Sequence, residues 1–246
     1  MTETTQFEAT FTGEATAAME RFYTALPSVP RAAWPAMMHG MGYNFEYYDA
    51  LFALVLATVQ LSLGEGDYTP RHMAMQAALL PFCSEFGIEL GQPMQRSHRA
   101  LYAELYQRAN GEALPERYPR TDDNPWFAAS RRWTAKMRAR LEGGGDSVER
   151  ARYALGYLWA IEHLSVQEFD RMREAWGKMG VSAPYLEAHC AVEEEHDAYA
   201  TRAMLAFCKP DDPLLLAAMR AHEEDLGGYY RELCGLLEQT SGADRA

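Results

Sequence analysis

Cysteine is scarce in this chain: four residues in 246, at positions 83, 190, 208 and 234, with no CxxC pair. That pattern excludes a zinc ribbon and a disulfide framework. Single cysteines inside helical patterns read as small core residues of a reduced, cytosolic protein. Basic charge is also short. Lys and Arg number 23 against 35 Asp and Glu, for a net charge of −12. This disfavours nucleic-acid and anionic-membrane binding, which need basic patches to displace counterions. The one basic stretch, RRWTAKMRAR (131–140), spaces its charges between apolar positions and reads as a solvated helix face. No apolar run reaches the ~18 residues of a membrane span. The longest, 50–64, is interrupted by Thr58, Gln60 and Ser62 and reads as a core helix. The N-terminus, MTETTQFEATF, lacks the basic start and apolar centre of a signal peptide.

What remains is 48% apolar, enough to bury a sizeable core. Its periodicity is helical almost throughout, with no alternating strand. The pattern predicts helices at 14–26, 44–63, 70–87, 96–110, 125–141, 147–164, 166–179, 183–207 and 213–239. Asn124-Pro125 and Asp212-Pro213 are start signals, and Ser165 with Glu168 fits a capping box. Gly143–Gly145 and Gly180 are stops. The irregular stretch at 111–124 is too short for a linker. The expectation is one all-α domain over 1–246, a bundle of seven to nine helices.

Residues 189–196 read HCAVEEEH. At about 100° per residue, with His189 at zero, Glu193 falls near ~40° and His196 near ~−20°. Glu194 and Glu195 fall near ~140° and ~−120°, off that arc. One glutamate therefore shares a face with both histidines and two point elsewhere. Leu186, Val192, Ala200 and Ala203 flank the shared face, so it is directed at the core. A buried carboxylate between two imidazoles is costly unless a cation occupies it, and these donors suit iron, manganese or zinc. The bland alternative is an exposed face with weak i,i+4 and i,i+3 pairs.

One helix cannot enclose a metal. Glu162 stands in the aromatic, apolar helix YALGYLWAIEHLS, where a lone carboxylate is expensive. Glu85 and Glu89 lie at one helix end, and His98 opens the next helix. His163 reads as a surface or capping residue. His72 sits at a helix start, His222 on the charged face RAHEED and His39 near a turn in MMHGMG. The Met- and aromatic-rich stretch 37–52 reads as core more than pocket. Arg71, Arg99 and Arg152 are each candidates for a substrate carboxylate.

Together these residues resemble the haem-oxygenase-like diiron oxidases and oxygenases. The resemblance runs over about 80–207, through Glu85-Phe-Gly87, Ser97-His98-Arg-Ala-Leu-Tyr102, Glu162 and His189-x3-Glu193-x2-His196. It implies a seven-helix haem-oxygenase-like bundle. Its six metal ligands would be Glu85, His98, Glu162, His189, Glu193 and His196, holding two Fe ions that reduce O2 as co-substrate. The family has Asp where Glu193 stands. The gap between Glu85 and His98 exceeds its usual length, which keeps Glu89 as a rival. Members act on small amines, amino acids and fatty acids by N-oxygenation, desaturation, oxidative C–C cleavage or decarboxylation, often in natural-product pathways. The partners expected are a small-molecule substrate and an external electron donor, for a cytoplasmic monomer or homodimer.

Three other readings compete. A cofactor-free enzyme of the same fold, like pyrroloquinoline-quinone synthase or thiaminase II, would need pocket acids, bases or a nucleophilic cysteine, and Cys190 lies ~100° from His189. A ferritin-like centre needs two E-x2-H motifs, and only Glu193-x2-His196 qualifies. A non-enzymatic helical interaction protein would leave the 189/193/196 face in water. Haem itself is disfavoured, because no histidine precedes position 39.

Overall fold

The computed structural model describes residue 7 and residues 9–62 and 68–243. Residues 1–6 and 8 of the polar N-terminal segment and 63–64 of the longest apolar run lie outside the described residues. Eight α-helices are described: α1 (Glu14–Ala25), α2 (Trp34–Leu61), α3 (Tyr68–Glu85), α4 (His98–Asn110), α5 (Pro125–Leu141), α6 (Ser147–Lys178), α7 (Pro184–Phe207) and α8 (Pro213–Ala243). Two 3-10 turns join α1 to α2, and no strand occurs among the described residues. No helix among them is long and apolar enough to cross a membrane.

Helix α6 is the central element. It packs against α7, α8 and α2, and its residues Ala154, Tyr157, Trp159 and Ala160 are fully buried. The apparent break at 165 does not exist: α6 runs unbroken from 147 to 178. Ser165 is no helix breaker, and the apolar stripe of Leu158, Ile161, Leu164, Phe169 and Met172 continues past it, so packing overrides the local capping signal. The capping box sits instead at the start of α6, where Asp146 accepts from the amides of Val148 and Glu149, and Glu149 accepts from the amide of Asp146.

Helix α2 starts ten residues before the predicted 44. The glycines of MMHGMG suggest a turn, but they serve close packing. A Cβ on Gly40 would lie 2.4 Å from the Phe127 amide nitrogen, and one on Gly42 would lie 2.6 Å from the Tyr102 ring. His39 is therefore within a helix. Asn124 caps α5 by accepting from the Phe127 amide, and it donates to the Ala36 carbonyl at 2.8 Å, tying α5 to α2.

His222, expected on a charged face, is buried. Its ring meets Tyr157 edge-on at 4.9 Å, and burial pushes its pKa down to about 3. Within RAHEED, Glu223 and Asp225 are also buried, each with partners, while Arg220 and Glu224 stay exposed. Lys136 Nζ lies 2.6 Å from Asp225, which also accepts from Tyr157 and Arg140. Glu223 caps α1 from across the bundle, accepting from the amides of Thr12 at 2.9 Å and Gly13 at 2.7 Å. These charge-assisted bonds sit in a 3%-exposed site, so Glu223→Ala should lower the unfolding free energy by about 1–3 kcal/mol. Urea melts read this directly, and an unchanged midpoint would make the cap redundant.

Candidate metal centre

Four helices converge on one point. Glu85 is the last residue of α3 and His98 the first of α4. Residues 86–97 leave and return, closed by the Gln95 amide donating to the Gly87 carbonyl at 2.7 Å. Gly87 is required there. Its φ is +71°, and a Cβ would meet the Gln95 oxygen at 2.4 Å. Ser97 then caps α4 by accepting from the Ala100 amide. The loop explains the long sequence gap: it brings His98 Nδ1 to 2.7 Å from Glu85 Oε2. Glu89 lies within the loop and is exposed.

Helix α6 supplies Glu162, and α7 supplies His189, Glu193 and His196. All four are only 3–4% exposed, whereas Glu194 and Glu195 are exposed. The face is therefore not a solvated acidic one. The six residues form two groups: Glu85 with His98 and His189, and Glu162 with Glu193 and His196. In each, the donor atoms lie within 4.8 Å of one another. His196 Nδ1 stands 3.6 Å from Glu162 and 4.0 Å from Glu193. His189 donates through Nδ1 to the Tyr185 carbonyl at 2.9 Å, which leaves Nε2 with a free lone pair. Phe169 stacks on the same ring, with centroids 3.9 Å apart.

The electrostatics of the two groups suit bound cations. Burial, reinforced by Glu85 and Asp197, raises Glu162 well above the usual carboxylate range. Burial, then Glu162 and Glu85, does the same to Glu193. Burial and His98 hold His189 well below its ordinary value, and burial brings His196 down to about 4. These imidazoles are thus neutral and able to ligate near neutral pH, while Glu162 and Glu193 resist ionisation without a counter-charge. Three carboxylates and three imidazoles in two groups match the donor chemistry of a pair of divalent transition-metal ions.

Both groups border a cavity of about 50 Å³, lined by five of the six residues, His196 excepted. Much of its wall is absent from the sequence-based expectation. Half of the 37–52 stretch is core (Met37, Met38, Met41), but Phe45, Tyr48, Asp49 and Phe52 line the cavity. Burial and then Glu85 push Asp49 up to about 7. Two acids inside an aromatic stripe are the signal that could have found it. Glu168 also lines the cavity and is obscured in the sequence by the false capping box. Read through as one helix, Ile161, Ser165, Glu168 and Phe169 fall on one stripe.

Of the three candidate arginines, Arg99 lines the cavity, with Nε 3.2 Å from Glu46, which also accepts from Tyr118. Arg71 stacks over Tyr68, and Arg152 pairs with Asp212 at 3.5 Å. His163 is half-buried rather than exposed, stacked on Trp159 and 3.4 Å from Asp197, behind the second group. His72 is exposed at the start of α3, stacked on Tyr68. Cys190 is outside the cavity lining, its thiol pushed by burial up to about 11.

The chain belongs to the iron-containing redox enzyme family, whose model matches residues 43–223 and so spans all six clustered residues. Two crystal structures of a CADD-like protein of unknown function from Nostoc punctiforme share its fold. One has a TM-score of 0.68 at 17% identity over 88% of this chain and 87% of that one. The other has 0.67 at 16% identity over 95% and 96%. A search among curated proteins returned no match.

Proposed function

We propose that this protein is a non-haem diiron oxidase or oxygenase acting on a small organic molecule. The carrying observation is the pair of three-residue donor groups bordering one cavity, five of the six residues lining it. Glu85, His98 and His189 would hold one iron, and Glu162, Glu193 and His196 the other. When bound, two ferrous ions supply electrons to activate O2 for oxidation of a substrate bond. The chain does the rest. Tyr185 fixes the His189 ring through its carbonyl, and Phe169 shields that ring from water. The aromatic wall of Phe45, Tyr48 and Tyr102 confines the substrate, and Arg99 with Glu46 forms a polar edge to the cavity. Within this reading the substrate is a small amine, amino-acid-like or fatty-acid-like compound, and an external donor restores the ferrous state.

Anaerobic titration with ferrous iron tests the reading. About two ions should bind per chain. O2 consumption by the loaded protein should then depend on the substrate added. Binding that stays below about one ion per chain and ignores His189→Ala and His196→Ala rejects it.

A further inference from the structure

Glu168 has no part in either donor group, yet it lines the same cavity as Glu162 and Glu193. It is 4% exposed. Tyr230 donates its hydroxyl to Glu168 Oε1, and the Tyr23 hydroxyl lies 3.0 Å behind that of Tyr230. Among the described residues no Lys, Arg or His pairs with this carboxylate. A buried carboxylate held by neutral donors alone is costly, and the cost falls when a ligand brings the opposite charge.

The charge inventory of the cavity points the same way. Glu85, Glu162 and Glu193 belong to the donor groups, and Glu46 is matched by Arg99. Asp49 and Glu168 remain, both on the cavity wall. An entering carboxylate meets like charge there, whereas an entering ammonium finds acceptors. Phe45, Tyr48 and Phe169 line the space between, and aromatic faces attract cations.

We infer that Glu168 is a substrate-binding residue and that the substrate is held through a cationic nitrogen, a primary or secondary ammonium group. This rests on the cavity being the reaction site. It favours the amine-bearing substrates over the fatty-acid-like ones. Glu168 lies six residues, a backbone rise of about 9 Å, beyond Glu162 on α6 and lines the same cavity. Burial pushes the free carboxylate up to about 7, opposed by the hydrogen bond from Tyr230 with Tyr23 behind it, and pairing with an ammonium restores its ionised form.

Calorimetry on the ferrous, anaerobic protein tests this with n-butylamine, 1-butanol and butyrate as probes, iron content being measured in parallel. Butylamine should bind at least about tenfold more tightly than butanol, and butyrate more weakly than either. Glu168→Gln keeps the size of the side chain and an acceptor for Tyr230. It should cost at least about tenfold in butylamine affinity while iron content and butanol affinity stay at wild-type values. Butyrate binding more tightly than butylamine to the wild type overturns the inference without any variant. So do absent butylamine binding, indifference of the amine to Glu168→Gln, or loss of iron from that variant. Low iron with intact, Glu168-dependent amine binding would reject the diiron reading and support this one.

Discussion

Under the diiron reading, Glu193→Gln should leave the protein with about one iron per chain and lower O2 turnover by at least about a hundredfold, whereas Glu194→Gln should change neither. The contrast follows from position. Glu193 is 4% exposed and shares a donor group with Glu162 and His196, while Glu194, about 100° further round α7, is exposed. An amide in place of the Glu193 carboxylate removes one negative charge from a site with only two, so the cation there loses about half its charge compensation. The group of Glu85, His98 and His189 keeps its donors and should still take up an ion. Metal analysis by mass spectrometry, paired with oxygen-electrode rates, reads both quantities on the same samples. Equal losses from the two variants, or none from either, would mean that the residue's place on the helix face does not govern metal binding.

That contrast is legible in the amino-acid sequence alone, because it needs only the helical repeat within one element. Whatever depends on two elements is less so. Glu85 and His98 meet through a loop whose closure by Gly87 and Gln95 no periodicity encodes, and by spacing Glu89 is an equal candidate; only the path of the loop puts it in solvent. The glycines at 40 and 42 carry the same composition whether they turn the chain or admit a neighbouring helix; only the approach of Phe127 and Tyr102 separates the two. At Ser165 a correct local rule gives a wrong boundary. Capping residues compete with the helix interior by less than the apolar stripe of α6 gains by continuing. The same error hides Glu168, because a residue assigned to a cap is not asked what cavity it lines. The family match and the fold likeness act at a coarser level than these residues: they identify the bundle and the iron-containing class.

Replacing Glu162 and Glu193 together with Met should make the metal-free protein more stable, by about 1–4 kcal/mol, while weakening its stabilisation by iron. Both carboxylates are buried and face each other and Glu85, so without a cation each must either protonate or repel its neighbour. The sign follows from their raised folded-state pKa values. The unfolded chain ionises these groups freely at neutral pH and the folded one does not, so both oppose folding there, and the penalty fades only as the pH falls towards the unfolded value. Methionine matches the shape of glutamate and carries no charge to desolvate. His196 loses little, since its Nδ1 stands 3.6 Å and 4.0 Å from these carboxylates, beyond hydrogen-bonding range. Urea denaturation in chelator, repeated with ferrous iron under anaerobic conditions, separates the two effects. In the wild type iron should raise the midpoint; in the double variant the midpoint should start higher and respond less. A double variant less stable than the metal-free wild type would show that the carboxylates hold the bundle together on their own account. The predicted gain instead marks the donor groups as positions where folding stability is given up for the capacity to bind metal.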